Sequence, residues 1–265
     1  MSSTTSPGPV RLVLFDAFDT LCTPRISVDK QYYEEAVKGG LTGAALTPQS
    51  MREAFRPAFE KINSLWPFYG KHANPPLSPE EWWTKIIYET LLKAGAPPNE
   101  LSQKIHIIAP ALMSRFENGI GYKDFPETIS CLYELRRLGV KTSIVSNSDP
   151  RILKTLYSLN ILPLLSHPPT LSWDAEAAKP SPIIFQKACE MCEEEVGDGV
   201  IMVGDELKTD WQGAIAAGIE GRLIRWPEKW SNDAFRKLQR QLGAMNVIRS
   251  LEDVVAEVKR RNKSS

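Results

Sequence analysis

The chain has 265 residues, 42% hydrophobic and 24% charged, the proportions of an ordinary globular protein with enough apolar residues for a substantial core. Lys plus Arg and Asp plus Glu number 32 each, so the net charge is zero, which argues against a nucleic-acid surface built on a basic field. No apolar run reaches the roughly 20 residues of a membrane span, and four cysteines are too few to staple a domain of this size.

Residues 1–9 (MSSTTSPGP) carry neither a basic nor an apolar region of a signal peptide and read as a short disordered tail. Cytosol or nucleus is therefore the expected compartment, and a monomer or weak oligomer the expected state. Four short aliphatic runs, over 11–15, 140–145, 200–203 and 222–226, have the nearly continuous hydrophobicity of strands buried on both faces. Helical patterns separate the later ones. Ile129, Leu132, Leu135 and Leu138 recur at helical spacing, with Gly139 placed to end the helix. Asp149-Pro150 and Ser181-Pro182 each put a capping residue before a proline, a start signal for two further helices. Strands alternating with helices in this way predict a doubly wound parallel α/β sheet.

The stretch 22–121 breaks that rhythm. It holds helical patterns at 28–38, 49–64, 79–94 and 100–117, with Ser78 and Asn99 as candidate caps, and no convincing strand. Such an insert after a first strand predicts a helical cap (25–118) on an α/β core (10–24 plus 119–262), above the sheet edge where open α/β folds bind ligands. The glycines of 119–126 would be the return hinge. The segment 246–261 reads as a final amphipathic helix.

The residues able to do chemistry fall at the ends of these elements. Asp16 follows the first strand, Ser146-Asn147 the second, and Gly204-Asp205 the third, with Lys179 and Asp210 in the adjoining loops. In a parallel sheet these ends converge. Paired carboxylates without histidine describe an oxygen-ligand site for a hard cation such as Mg²⁺. A hydroxyl and a lysine beside them suit a phosphoryl group, with a carboxylate as nucleophile.

Four runs carry a family resemblance: FDAFDTL (15–21), IVSN (144–147), Lys179-Pro180 and VGDELKTD (203–210). Together and in this order they resemble the haloacid dehalogenase-like hydrolase superfamily, whose core is Rossmann-like. Within it they are most similar to the group around domain-containing protein 3 and its fungal relatives. The resemblance implies that Asp16 is a nucleophile forming an aspartyl-phosphate and that the Phe18 carbonyl and Asp205 are metal ligands. It also implies that Asp210 or Glu206 fixes metal waters, that Ser146 and the Asn147 amide hold phosphoryl oxygens, and that Lys179 neutralises Asp16 and the phosphate. The implied substrate is a small phosphorylated metabolite, with neither nucleic acid nor membrane as partner.

One departure matters. Phosphatases of the family carry an acid two residues after the nucleophile, where this chain has Phe18. Asp19 comes next, but adjacent side chains in extended backbone face opposite ways. General acid help is worth about 10²–10⁴-fold, so alkyl phosphate esters should turn over slowly, and acyl or aryl phosphates should suffer less. Two alternatives follow: a weak or inactive binding protein, or a metal-independent 2-haloacid dehalogenase, whose branch also has an aromatic residue here. The acidic GDELKTD run disfavours the latter, because uncompensated carboxylates beside a carboxylate nucleophile are costly. Arg25, Arg52 and Arg56 are the candidate halide-binding arginines of that reading. Cys189-x-x-Cys192 lies within a helical pattern and reads as core, and Trp82-Trp83 as packing between the inserted helices.

Overall fold

The computed structural model describes residues 8–263, so all but the last two residues of the 1–9 tail lie outside the described residues. The chain divides into two compact units. Among the described residues, one takes in 8–23, Asp124–Ser148 and 159–263; the other comprises Pro24–Lys123 and Asp149–Ser158.

In chain order the elements are β1 (Leu12–Phe15), β2 (Cys22–Pro24), α1 (Val28–Lys38), α2 (Pro48–Leu65), α3 (Pro79–Lys93) and α4 (Pro98–Phe116). Then come β3 (Tyr122–Asp124), α5 (Thr128–Arg137), β4 (Lys141–Ser146), α6 (Ile152–Ser158), β5 (Thr170–Leu171), α7 (Ser172–Ala175) and α8 (Pro182–Met191). The chain finishes with β6 (Val200–Gly204), α9 (Gly213–Ala216), β7 (Glu220–Ile224), α10 (Asn232–Leu242), β8 (Val247–Ile248) and α11 (Leu251–Lys263).

Six strands form one parallel sheet in the order β5-β4-β1-β6-β7-β8. β1 is central, and the chain builds outward from it first to one side and then to the other. The crevice between β1 and β6 is the point where strand order reverses, the usual ligand position of such sheets. All four residues of β1 are buried, as its unbroken LVLF run requires. Leu12, Leu14, Val145, Val200 and Met202 pack with Ile184, Phe185 and Ala188 of α8 and Ala214 of α9. Val13 and Phe15 alternate onto the opposite face. Cys189 and Cys192 are free thiols inside the first of these layers, where burial pushes both up to about 11, as core residues rather than a redox or metal pair.

The helical unit has its own core. Tyr32, Met51, Ile87, Leu91, Ile108 and Leu112 draw α1 to α4 together, and Trp82 packs with Ile62 and Ile86. Ser78 caps α3 through a reciprocal pair with Glu81. Asn99 does not cap α4. That helix begins one residue earlier, at Pro98, whose fixed φ suits the first turn. The segment Asp149–Ser158 groups with this unit: the Asp149 carboxylate accepts from Trp83 Nε1 at 2.8 Å and from Arg151 Nε and Nη2, both at 2.9 Å.

Two sequence expectations change at the edges. Cys22–Pro24 forms a three-residue strand, where none was expected, and pairs with β3. The final helix begins at Leu251 rather than near 246, because Val247–Ile248 completes the sheet as β8. Ser250 and Asp253 close the helix start with bonds from Asp253 N–H to Ser250 Oγ (3.2 Å) and from Ser250 N–H to Asp253 Oδ2 (3.2 Å).

An ionic quartet, with Arg222, Glu257 and Arg261 buried and Glu220 half-buried, fastens α11 to β7. Arg222 reaches Glu257 at 2.5 Å and Glu220 at 2.7 Å, and Arg261 reaches Glu220 at 2.8 Å and Glu257 at 3.1 Å. Burial alone would raise the Glu220 carboxyl, but the hydrogen bonds from Arg261 and Arg222 hold it down at about 2. A carboxyl lowered on folding stabilises the protein above its ordinary titration range, and that contribution fades as pH falls toward about 2. Glu220→Gln should therefore lose about 1–3 kcal/mol at pH 7 in urea unfolding, and its deficit against wild type should shrink between about pH 4.5 and pH 2.

Candidate active site

The register of β1 against its neighbours assembles the site. Phe15 lies opposite Ile144 on one side and Val203 on the other, so Asp16, Ser146 and Asp205 all emerge at one edge within two residues of that rung. The Asp16 N–H continues the ladder to the Val203 carbonyl at 2.8 Å. Ser146 is buried as the last residue of β4.

Lys179 is the centre of the cluster. Its ammonium is buried and donates to Asp16 Oδ1 at 2.5 Å and to Asp210 Oδ1 at 2.7 Å. Burial opposes its charge, but Asp16 and Asp210 more than offset that and raise its pKa. The main chain of Lys179 is held as firmly. Its N–H donates to Asn147 Oδ1 at 2.7 Å, and Asn147 Nδ2 donates back to its carbonyl at 2.9 Å. The side chain of Asn147 thus holds the backbone of Lys179. The peptide that follows, Lys179-Pro180, is cis.

Asp210 sits in a π-helical turn, Leu207–Gln212, that follows β6. Its Oδ2 accepts from the Glu206 N–H at 2.9 Å, while the exposed Glu206 side chain takes no part in that bond. The carboxylate approaches the strand so closely that a Cβ on Gly204 would lie 2.3 Å from Asp210 Cγ. Position 204 is glycine because Asp210 occupies the space of a side chain.

Asp16, Asp205 and Asp210 offer oxygens within 4.8 Å of one another, and among the described residues they are the one such acidic or metal-ligating group found. Burial, with Lys179 opposing and Asp210 reinforcing, pushes Asp16 up to about 6. Asp205 is pushed further, to about 8, by burial and then by Asp16, Asp210, Asp19 and Glu206. The cluster carries more negative charge than one lysine balances. Hard carboxylate oxygens in that excess fit a divalent cation such as Mg²⁺.

Phe18 is half-buried and its backbone bridges to Cys22. Asp19 turns away from an acid's duty: its Oδ1 accepts from Thr23 Oγ1 at 2.6 Å and Lys229 Nζ at 2.5 Å. Its φ is 57°, a left-handed conformation that Gly, Asn and Asp enter more readily than other residues. Of the arginines considered for a halide, Arg52 is paired with Asp29 at 3.2 Å, Arg56 with Glu60 at 2.9 Å, and Arg25 donates to the Gly119 carbonyl.

Sequence reasoning missed Arg225. It is buried, donates to the Asp205 carbonyl, and lies over the Trp230 ring at 4.3 Å. It lies just past the end of a strand, and nothing in its local pattern separates it from a core residue.

A model of haloacid dehalogenase-like hydrolases matches residues 10–218. The chain belongs to this family. It is 31% identical over 250 residues to haloacid dehalogenase-like hydrolase domain-containing protein 3 of Danio rerio, covering 94% of this chain and 97% of that protein. Among solved structures, a 2-haloacid dehalogenase from Pseudomonas syringae superposes with a TM-score of 0.59 at 19% identity, over 95% of this chain and 99% of that one. A family hydrolase from Deinococcus radiodurans, solved with phosphate and sodium, gives 0.62 at 17%, over 96% and 97%. At such identities the structures speak for the fold of this family member alone.

Two predictions test the cluster. Lys179→Met should destabilise the protein by about 3–5 kcal/mol, because it strands buried carboxylates, and adding Asp16→Asn should recover part of that loss in urea unfolding. Gly204→Ala should lower stability by about 1–3 kcal/mol through its clash with Asp210, read from the melting temperature.

Proposed function

We propose that the protein is a Mg²⁺-dependent hydrolase of a small phosphorylated metabolite that works through an aspartyl-phosphate at Asp16. The observation that carries this reading is the charge imbalance around Lys179: three clustered carboxylates against one buried ammonium, with Asp205 pushed up to about 8. Asp16, Asp205 and the Phe18 carbonyl would hold the cation, with Asp210 setting Lys179 and the neighbouring backbone. When bound, the cation supplies positive charge against the phosphoryl oxygens.

The chain's own residues supply the rest. Asp16, held at Oδ1 by Lys179, attacks phosphorus; the phosphorus–oxygen bond to the leaving group breaks and an aspartyl-phosphate forms. Lys179 and Ser146 stabilise charge on the transferring group. Water then displaces Asp16 from phosphorus, releasing phosphate and restoring the carboxylate. No acid stands at Phe18 to protonate the departing oxygen, and Asp19 Oδ1 is engaged by Thr23 and Lys229. Leaving groups that depart unprotonated are therefore favoured.

The missing acid also supports a second reading, a member that binds a phosphorylated ligand with little turnover. Hydrolysis of acetyl phosphate and p-nitrophenyl phosphate, with Mg²⁺ or chelator, separates the two. We expect Mg²⁺-dependent turnover, abolished in Asp16→Asn, with alkyl phosphates slower by about 10²–10⁴-fold and improved by Phe18→Asp. Binding without turnover supports the second reading. Halide release from 2-haloacids in the presence of chelator would instead establish the dehalogenase.

A further inference from the structure

The turn that follows Asp16 is clamped at an unusual number of points. Leu21 and Cys22 N–H groups both return to the Ala17 carbonyl, at 2.9 and 3.0 Å. Within this loop Asp19 has every one of its polar groups engaged. Its N–H donates to the Cys22 carbonyl at 2.6 Å, and its carbonyl accepts from Trp226 Nε1 at 2.9 Å. Its carboxylate accepts from Thr23 and from Lys229. The Trp226 ring is buried and stacked on Phe125, centroids 4.0 Å apart and planes 9° from parallel. Phe125 closes the circle: its N–H donates to the Leu21 carbonyl at 3.2 Å, and Lys229 Nζ lies 5.8 Å from its ring.

Peptide geometry makes this clamp consequential. The Phe18 carbonyl and the Asp19 N–H belong to one planar unit and point in opposite directions. Fixing the Asp19 N–H on Cys22 therefore fixes the direction of the Phe18 carbonyl. Asp19 pays for that orientation with a left-handed φ of 57°, and the bonds from Trp226, Thr23 and Lys229 hold it there.

We infer that Lys229 and Trp226 are positioning residues, which act through Asp19 to aim the Phe18 carbonyl at the cation site. This rests on the metal reading above. An ion pair as open as Asp19–Lys229, with both side chains 41% exposed, adds little to stability. Its effect should instead appear in metal affinity. Direction is informative: simple removal of a nearby positive charge would tighten Mg²⁺ binding, whereas a loosened clamp weakens it.

The test is Mg²⁺ titration of the full chain by calorimetry, alongside melting temperatures without metal. Wild type should bind and Asp205→Asn should not. Lys229→Met should bind about 10-fold or more weakly, as when an outer-shell partner is lost, with its metal-free melting temperature little changed, and Lys229→Arg should retain most of the affinity. In an Asp19→Gly background, Lys229→Met should have no further effect, because its route is gone. Trp226→Phe, which removes the indole N–H, should weaken binding in the same sense. The inference is overturned if Lys229→Met binds as tightly as wild type or tighter, or if its effect persists undiminished in Asp19→Gly. If wild type and Asp205→Asn both fail to bind, the metal reading itself falls, and the clamp's purpose with it.

Discussion

The ammonium of Lys179, held between Asp16 and Asp210 with almost no access to water, is the interaction on which the site depends. A buried carboxylate is expensive without a counter-charge, and here one strand end and one helical turn place carboxylates against a single one. The surrounding structure is arranged to keep that counter-charge fixed. The loop carrying Lys179 is bound to the end of β4 through Asn147, and the turn carrying Asp210 is folded back onto β6 through the Glu206 amide. The missing side chain at Gly204 is part of the same arrangement. The cluster remains acidic after Lys179 has been counted, which suits it to the cation we propose.

The sheet was legible because its strands are buried on both faces. Runs such as LVLF at 12–15 and VIMV at 200–203 leave little else for the chain to do, and the polar residues that end them stand out against that background. Asp16, Ser146 and Asp205 were found on this ground, with Lys179 and Asp210 in the adjoining loops; the structure clusters Asp16, Lys179, Asp205 and Asp210 and sets Ser146 at the same sheet edge. Short strands were not legible. β5 and β8 are two residues long, too brief for any periodicity, and exist because a neighbouring strand offers an edge. Asn99 failed as a cap because proline at the preceding position had already set the first helical turn.

Other features were hidden for a different reason. Two partners of Asp19 lie more than two hundred residues away, at Trp226 and Lys229, and Arg225 meets Asp205 across twenty. Such contacts depend on register between β6 and β7, which no local pattern carries. The turn after Asp16 offered one clue: Asp19 is one of the few residue types that enter left-handed backbone readily, and its φ is 57°. The ionic quartet of Glu220, Arg222, Glu257 and Arg261 was likewise invisible, since its members read singly as ordinary surface charges.

The reciprocal bonds of Asn147 narrow what that position can tolerate. Its carboxamide faces one donor and one acceptor of the Lys179 backbone, much as a peptide group on an adjacent strand would. Aspartate is nearly identical in shape but presents two acceptors, and so would set a negative oxygen against the Lys179 carbonyl. Glutamine keeps the chemistry but lengthens the arm by one methylene. Spontaneous deamidation of Asn147 would therefore be a one-atom lesion with an outsized effect, unfastening the lysine loop from the sheet while leaving its side chain chemically intact.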